Sequence, residues 1–365
     1  MNSYRSFRDL DWPLLLITLA ICSLGVLQIY SATHDTIWRD AWWKQVIWIG
    51  GGVFLLWIVT YIDYHTLLSR VYVLYGLSLV TLLAVIMFGT KVFGGRRWIP
   101  IGGGFKLQVS EFVKIVIILL VARFMTELKK EELDWPDLVK IGALVGVPML
   151  LVKIQPDLGT ALTYLAVLAV GVVLAGLRWK YFAVIAAAIA ITVPIALRLH
   201  VLDDYQMGRL TTFMDPAKDP RGKGYQVIQS KIAVGAGGLW GRGVTRGTQT
   251  QLQFLPVPHT DFIFSAFSEE HGFVGVVVVL GLYFLLLMQI VQNAQMAPDR
   301  AGIYVCMGVC AILLFHVLVN VGMVVGWMPV TGIPLPLMSA GGSNILSVFL
   351  MLGLVNNVRL RRFVN

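Results

Sequence analysis

Charged side chains are scarce in this chain, and their scarcity excludes most soluble folds. Asp, Glu, Lys and Arg make up 13% of the 365 residues, whereas hydrophobic residues make up 57%. A helix needs about 20 apolar residues to cross a bilayer, and the chain offers such runs repeatedly. We therefore predict an all-α integral membrane protein that forms a single polytopic domain over residues 1–365, without a soluble domain.

Cysteine is also rare, and its placement excludes a disulfide framework. Cys22, Cys306 and Cys310 all lie within apolar runs, where packing is the expected role. Cys306 and Cys310 are four residues apart on one helix face, so a soft-metal site is the alternative. The Gly-rich stretch at 235–243 lacks the Gly-Lys-Ser/Thr ending of a nucleotide-binding loop. We expect no organic cofactor.

The net charge of +9 is carried largely by short loops between apolar runs. Such a distribution argues against nucleic acid as a partner. It favours a membrane surface or an anionic, lipid-linked substrate.

Hydropathy predicts ten membrane spans, which places both termini on one side. The short loops on that side hold more Lys and Arg, so we predict cytoplasmic termini. The first run lacks a small-residue cleavage site and is interpreted as a retained span. The loops at 90–106 and 201–261 and the turn around Gln155 are then external, and 224–243 is predicted to contain an amphipathic surface helix. The predicted spans are 12–32, 42–62, 69–89, 107–127, 138–153, 158–177, 181–200, 262–291, 302–327 and 334–357.

An ionisable pair lies inside the fourth predicted span. Glu111 and Lys114 are three residues apart and share a helix face, and Gln108 lies broadly on the same side. A charged side chain in a span costs roughly 2.5–3.5 kcal/mol on insertion scales. Two interpretations stay open: a buried ion pair that locks helix packing, or a polar wall of an outward-facing cavity.

Two external segments add further polar groups. Pro156 cannot continue the fifth helix, and Asp157 is a candidate N-cap for the sixth. Lys153, Gln155, Asp157 and Thr160 together are more polar than a cap requires. In the loop at 90–106, Arg96 and Arg97 precede Trp98. Arginine forks bind phosphate and an indole stacks on sugars, although an interfacial aromatic with solvated charges is the alternative.

Asp261 follows a proline-rich stretch at the start of the eighth predicted span. With His259 and Thr260 it would face an outer cavity. Helix capping is one explanation for the carboxylate, and catalysis or ion binding is the other. Glu269 falls on a similar side of an ideal helix and Glu270 nearly opposite, unless the span begins only near Gly272.

Five stretches together resemble one family. They read QVSEFVKI, QPDLGTAL, GYQVIQSKIAVGAGGLWGRG, QLQFLPVPHTDFIFSAFSEEHGFVG and NVGMVVGWMPVTGIPLPLMSAGGSN. In this order they are similar to the SEDS family of shape, elongation, division and sporulation proteins, which is the FtsW/RodA/SpoVE family. The short N-terminal tail and the HTDFIF motif favour an elongation member over the division paralogue.

The resemblance implies a ten-span peptidoglycan glycosyltransferase of the bacterial inner membrane. Such an enzyme polymerises lipid II, an undecaprenyl-diphosphate-linked disaccharide-pentapeptide, on the external face, beside a class B penicillin-binding protein of the elongation machinery. The essential aspartate of the family maps onto Asp261. The family's cavity residues map onto Trp98, Gln108, Ser110, Glu111 and Lys114, and its C-terminal signature onto Pro329, Gly332, Ser339, Gly341, Gly342 and Ser343.

A mechanism follows from these assignments. Asp261 would take a proton from a sugar hydroxyl or, alternatively, hold Mg²⁺ or Mn²⁺. The departing diphosphate needs positive charge. A lipid II flippase is the competing function and a non-catalytic scaffold the third, but the polar groups cluster at the outer end of the spans, which favours one-sided chemistry. The candidate cations are Arg97, Lys114, Arg209, Arg242 and Arg246.

Overall fold

Helices make up most of the fold. The structure is a computed structural model that describes residues 10–92, 95–102, 105–128, 133–184, 187, 204–216 and 222–363. The seventh predicted span, 181–200, lies almost entirely outside the described residues. The helices are Trp12–Thr33, Ala41–Tyr61, Tyr64–Ser69, Val71–Phe88, Val109–Glu127, Trp135–Ile154, Leu158–Leu174, Asp204–Met214, Lys223–Ala236, Thr248–Gln251, Ile263–Gln295, Arg300–Val324 and Gly342–Leu360.

Several helices are suited to a bilayer by length and composition. Leu158–Leu174 is apolar but shorter, whereas Val109–Glu127 and Trp135–Ile154 are long enough but contain several charged residues. These features support a multi-pass membrane protein. Six described helices are both long and apolar enough to cross a membrane, namely Trp12–Thr33, Ala41–Tyr61, Val71–Phe88, Ile263–Gln295, Arg300–Val324 and Gly342–Leu360.

Two helices form the centre of the bundle. Gly342–Leu360 and Arg300–Val324 are buried along most of their length, and they pack against each other. Ala41–Tyr61 and Val71–Phe88 instead bury few of their residues and leave most apolar side chains at least partly exposed. Exposed apolar surface on this scale is what lipid covers in a membrane protein. The two central helices also bury polar side chains, namely His316, Asn320, Ser343, Asn344, Ser347, Asn356 and Asn357.

The two ends of the described chain meet at one end of the bundle. Asp11 caps the first helix and is fully buried, where its Oδ2 lies 2.9 Å from Nη1 of Arg359. Asn293 donates a hydrogen bond to the same carboxylate. The ion pair joins the start of the first helix to the end of the last long helix. Both ends of the described chain therefore lie at the same end of the bundle.

A small antiparallel sheet interrupts the helical pattern. Its strands, Thr90–Val92, Gly95–Gly102 and Phe105–Gln108, pair in sequence order. The all-α prediction treated 90–106 as an irregular loop, so this sheet is an addition to it. Trp98 lies opposite Gln108 in the register, and the third strand runs directly into the Val109–Glu127 helix. The sheet thereby holds residues 96–98, which are Arg-Arg-Trp, against the start of that helix.

The Ile263–Gln295 helix is broken at Gly272. This residue has φ 65° and ψ −166°, a conformation open mainly to glycine. The loop at 238–243 satisfies the backbone groups that the break exposes, since Phe273 N–H donates to Gly238 and Gly243 N–H donates to the Glu270 carbonyl. The long apolar part of the helix therefore starts after Gly272, and residues 263–271 form a separate short helix.

Replacing Gly272 with alanine is expected to lower thermal stability. Alanine at this φ costs about 1–3 kcal/mol, and its Cβ would lie 2.3 Å from the nitrogen of Gly241. Gly281→Ala is the matched control, because that glycine lies in the same helix with no atom near an added Cβ, and alanine favours helix by about 0.5–1 kcal/mol. Thermal unfolding in detergent tests this, and equal melting temperatures for the two variants would contradict it.

Most predicted span boundaries agree with the helices to within a few residues. Two described spans differ more: the eighth is broken at Gly272, and the helix of the tenth begins only at Gly342, because 334–341 is not helical. Pro334 and Pro336 lack the N–H that a helix requires. This segment is instead a loop packed inside the bundle, where Leu335, Leu337 and Met338 are fully buried. The predicted amphipathic helix is present as Lys223–Ala236. The Asp204–Met214 helix was not predicted.

Candidate active site

Asp261 lies in the loop just before the Ile263–Gln295 helix, and its carboxylate is partly buried. A Cβ on Gly332 would lie only 3.4 Å from its Oδ2, so the C-terminal loop passes directly over the carboxylate. Burial raises the pKa of Asp261, while the guanidinium groups of Arg209 and Arg97 lower it. Two of the predicted cations therefore act on this carboxylate.

A second carboxylate, Asp157, lies near the first and adds to the pKa increase of Asp261. Its Oδ1 accepts from the backbone N–H of Thr160 at 3.3 Å, which confirms the predicted helix cap. Its Oδ2 also accepts from Nε2 of Gln108 at 2.7 Å, and Nη1 of Arg97 lies 3.8 Å from Oδ1. Asp157 therefore joins the sheet to the sixth predicted span.

Arg97 is held by the turn around Gln155. Its Nε donates to the Gln155 carbonyl at 3.0 Å, and its Nη2 donates to the carbonyl of Pro156. The Gln155 side chain is buried and donates to the carbonyl of Leu82 at 3.0 Å. These contacts fix the guanidinium beside Asp157. The Lys153 side chain makes no hydrogen bond or ion pair within the described ranges.

The start of the Val109–Glu127 helix is fastened to the C-terminal signature. Ser343 Oγ accepts from the backbone N–H of Gln108 at 2.9 Å, and the Gln108 side chain also donates to Ser110 Oγ at 3.2 Å. Trp98 is partly buried across the strand pair from Gln108. Gly342 is in close contact, because a Cβ there would lie 2.3 Å from the indole of Trp48.

Glu111 and Lys114 form a buried ion pair, with 3% and 1% of their surfaces exposed. Nζ of Lys114 lies 2.8 Å from Oε1 of Glu111 and 3.1 Å from Nε2 of His316. Asn344 and Ser347 donate to the other carboxylate oxygen. The pair thus links three helices, as the packing interpretation expected. Its role in a substrate cavity stays a prediction.

His259 and its neighbours are packed against the C-terminal loop. The His259 ring is buried and lies 5.5 Å from the ring of Trp38, measured between centroids. Ser339 is fully buried, and its Oγ donates to the Thr260 carbonyl at 2.7 Å. Gln45 accepts from the N–H of Gly341 at 3.2 Å. Of the predicted signature, Gly332 and Ser339 therefore lie against the segment that carries Asp261, whereas Gly341 is bound by Gln45.

Burial of His259 gives a pH-dependent stability that can be measured. Burial lowers its pKa to about 4, from an ordinary value of 6.5. Between these values the unfolded chain binds the proton more strongly, so the unfolding free energy should fall as the pH drops from about 6.5 to 4, by up to about 3 kcal/mol. His259→Gln lacks this contribution. Denaturant unfolding across this pH range tests it, and parallel curves for the two proteins would contradict it.

Glu269 and Glu270 belong to another part of the molecule. Glu269 is buried and accepts from the backbone N–H groups of Gln249 and Thr250 at 2.7 and 3.1 Å. Glu270 accepts from Ser31 Oγ at 2.5 Å. Glu269 therefore anchors the Thr248–Gln251 helix, and Glu270 binds the end of the first helix. The prediction that Glu269 points to a side similar to that of Asp261 stays a prediction.

Two buried polar residues of the Arg300–Val324 helix were missed. His316 contacts Lys114, and Asn320 donates to the backbone carbonyl of Asp261 at 3.0 Å. Both lie four residues apart on one helix face within an apolar run, and that pattern is the signal that the sequence offered.

Comparison with known proteins assigns the family. The FtsW/RodA/SpoVE family model, described as cell cycle protein, matches residues 12–362. Peptidoglycan glycosyltransferase MrdB of Escherichia coli K12 is 39% identical over 97% of this chain and 94% of its own length. Peptidoglycan glycosyltransferase RodA of Treponema pallidum is 33% identical over 98% of this chain and 99% of its own.

Comparison with solved structures supports the same family. A chain from a peptidoglycan synthase complex, described for its coordination of polymerization and crosslinking, matches with a TM-score of 0.84 at 35% identity, covering 98% of this chain and 99% of that one. The crystal structure of the rod shape determining protein RodA of Thermus thermophilus matches with a TM-score of 0.73 at 30% identity, covering 98% of each chain. The chain belongs to the FtsW/RodA/SpoVE family.

Proposed function

We propose that this protein is a peptidoglycan glycosyltransferase that polymerises lipid II during cell-wall elongation and so maintains rod shape. The observation that carries the proposal is the partly buried Asp261 carboxylate, which is acted on by two guanidinium groups at one end of a membrane bundle. The relatives named peptidoglycan glycosyltransferase support the reaction class.

The chemistry needs a base and a cationic surface. The acceptor hydroxyl oxygen bonds to the anomeric carbon of the donor while the bond from that carbon to the diphosphate oxygen breaks. Asp261 takes the hydroxyl proton, a role that contributes about 10²–10⁴-fold. The diphosphate leaves with the bonding electron pair, and Arg97 and Arg209 stabilise its charge. The raised pKa of Asp261 suits a base, because it strengthens proton affinity.

A divalent cation, Mg²⁺ or Mn²⁺, stays part of the proposal. Within the described ranges no three His, Cys, Asp or Glu side chains gather to hold a metal. Mg²⁺ is often bound by one or two carboxylates together with substrate phosphates, and Asp261 with Asp157 nearby fits that donor set. Bound there, the ion would supply positive charge to the diphosphate.

An apolar groove offers a place for a polyprenyl tail. It lies between the Trp12–Thr33 and Ala41–Tyr61 helices and has a volume of about 600 Å³. Trp42 lines it, and Gln45, one turn further along the same helix, donates to the Ser339 carbonyl at 3.0 Å. The groove therefore borders the helix that supports the C-terminal signature. We propose that it holds part of a lipid-linked substrate.

The setting of the enzyme is part of the same proposal. We infer ten spans with cytoplasmic termini in the bacterial inner membrane, and an active site on the external face. The charge of the short loops supports this orientation. A class B penicillin-binding protein is the proposed partner, since one similar solved chain comes from a peptidoglycan synthase complex.

Reconstitution on purified lipid II tests the function. The purified protein with its transpeptidase partner should produce glycan polymer in vesicles. A lipid II flippase would instead move labelled lipid II across the bilayer and form no polymer. Polymer without transbilayer movement supports the proposal, whereas movement without polymer would replace it with the flippase.

A further inference from the structure

The backbone carbonyl groups of residues 259, 260 and 261 all accept hydrogen bonds from the C-terminal part of the chain. The His259 carbonyl accepts from the N–H of Ala340 at 2.9 Å and that of Thr260 from Ser339 Oγ at 2.7 Å. The Asp261 carbonyl accepts from Asn320 Nδ2 at 3.0 Å. In external loops, backbone carbonyl groups are usually hydrogen-bonded to water. Here the segment is tied to groups 59 to 81 residues away in sequence.

Asn320 joins two loops through one amide group. Its Nδ2 also donates to the Ile333 carbonyl at 2.8 Å, and the residue is fully buried. The orientation of the amide is determined, because the flipped group would oppose its oxygen to two carbonyl oxygens. Asn320 therefore holds the backbone of Asp261 at a fixed distance from the stretch that carries Gly332. That glycine in turn lies against the carboxylate.

The Ser339 hydroxyl both donates and accepts a hydrogen bond within the protein. Besides donating to Thr260, its Oγ accepts from the Leu335 N–H at 2.9 Å. The residue has no exposed surface. The resemblance maps Ser339 onto the C-terminal signature of the family, but a buried hydroxyl that already donates and accepts has no proton left to donate to a ligand.

We propose that Asn320 and Ser339 are positioning residues that aim the Asp261 carboxylate by fixing the backbone of residues 259–261. This inference rests on the proposed function. Because both side chains bind carbonyl groups, their loss displaces the carboxylate without removing a substrate contact. A displacement of about 1 Å costs on the order of 100-fold in rate. The loss should therefore appear in kcat, with KM unchanged.

The test measures kcat and KM for lipid II polymerisation by the protein with its transpeptidase partner. We expect Asn320→Ala and Ser339→Ala to lower kcat by about 10- to 100-fold at unchanged KM. Ser339→Cys, which has a similar size and a weaker donor, should give an intermediate kcat. Ser268→Ala is the matched control, because that buried hydroxyl donates within its own helix to Phe264, and it should keep the kcat of the wild type.

The outcomes separate this inference from the function itself. Wild-type kcat in both alanine variants, with Asp261→Asn inactive, would overturn the positioning role alone. A raised KM at unchanged kcat would make the two residues substrate contacts and overturn it as well. Normal polymerisation by Asp261→Asn would reject the proposed function. If Asn320→Ala fails to fold, the Ser339 series decides, since Ser339→Cys changes one atom.

Discussion

Asp261→Asn is expected to abolish glycan polymerisation without unfolding the protein. Asparagine keeps the size of the side chain but cannot take a proton, so the rate should fall by about 10²–10⁴-fold. Removing a partly buried charge also relieves its desolvation, so thermal stability should be equal or slightly higher. Polymer length and rate on purified lipid II, with a melting temperature of each sample, measure the two effects separately.

A surface carboxylate at the same end of the bundle supplies the control. The Asp35 carboxylate is 83% exposed and pairs with His34 beside the Trp38 turn. Asp35→Asn removes the same charge from nearly the same region and should polymerise at the rate of the wild type. Equal losses in the two variants would mean that the effect reflects surface charge rather than the Asp261 carboxylate.

Lys114→Met should have the largest effect on stability. It leaves the buried Glu111 without its cation, and breaking a buried pair from one side costs about 3–5 kcal/mol. Asn344 and Ser347 still donate to the carboxylate, which places the expected loss at the lower end of that range. Thermal unfolding in detergent, compared with Arg123→Met in the exposed pair with Glu127, measures the difference.

The double variant Glu111→Gln with Lys114→Met distinguishes the two interpretations of the pair. With both charges absent, no uncompensated ion remains and most of the stability should return. If the pair only locks helix packing, the double variant also polymerises lipid II. If it forms a wall of the substrate cavity, stability returns while polymerisation stays low. A double variant as unstable as Lys114→Met would contradict the ion-pair explanation.

The sequence predicts an interaction when the two interacting residues lie close together in the chain. Apolar runs predicted most helices to within a few residues, because spanning length and hydropathy are local properties. The Glu111–Lys114 pair followed from a spacing of three, and the Asp157 cap followed from its place after Pro156. Each needs only one helix to form.

The sequence does not predict contacts between residues that are far apart in the chain. His316 is 202 residues from Lys114, and Asn320 is 59 residues from Asp261. Periodicity within one apolar helix says nothing about which neighbour it meets. A start of the long span near Gly272 was one of the alternatives considered, but the partners of Glu269 at residues 248–250 were not predicted.

The sheet at 90–108 was missed although the sequence contained a signal. Gly-rich stretches at 94–95 and 102–104 flank a run with Trp98, Ile99 and Ile101, which is the composition of a β-hairpin. The overall apolar composition favoured helices and obscured it. The sheet is the element that brings Arg97 beside Asp157, so the missed structure is also part of the candidate site.

The most direct test of Asp261 as the base is the pH dependence of the polymerisation rate. We predict that the wild-type rate falls as the pH drops through an apparent pKa above the ordinary value for aspartate, because protonation of this partly buried carboxylate removes the base. Asp261→Asn should show only a low rate that does not change across the same range. A wild-type rate in Asp261→Asn, with the same acidic decline, would contradict the proposed role of Asp261.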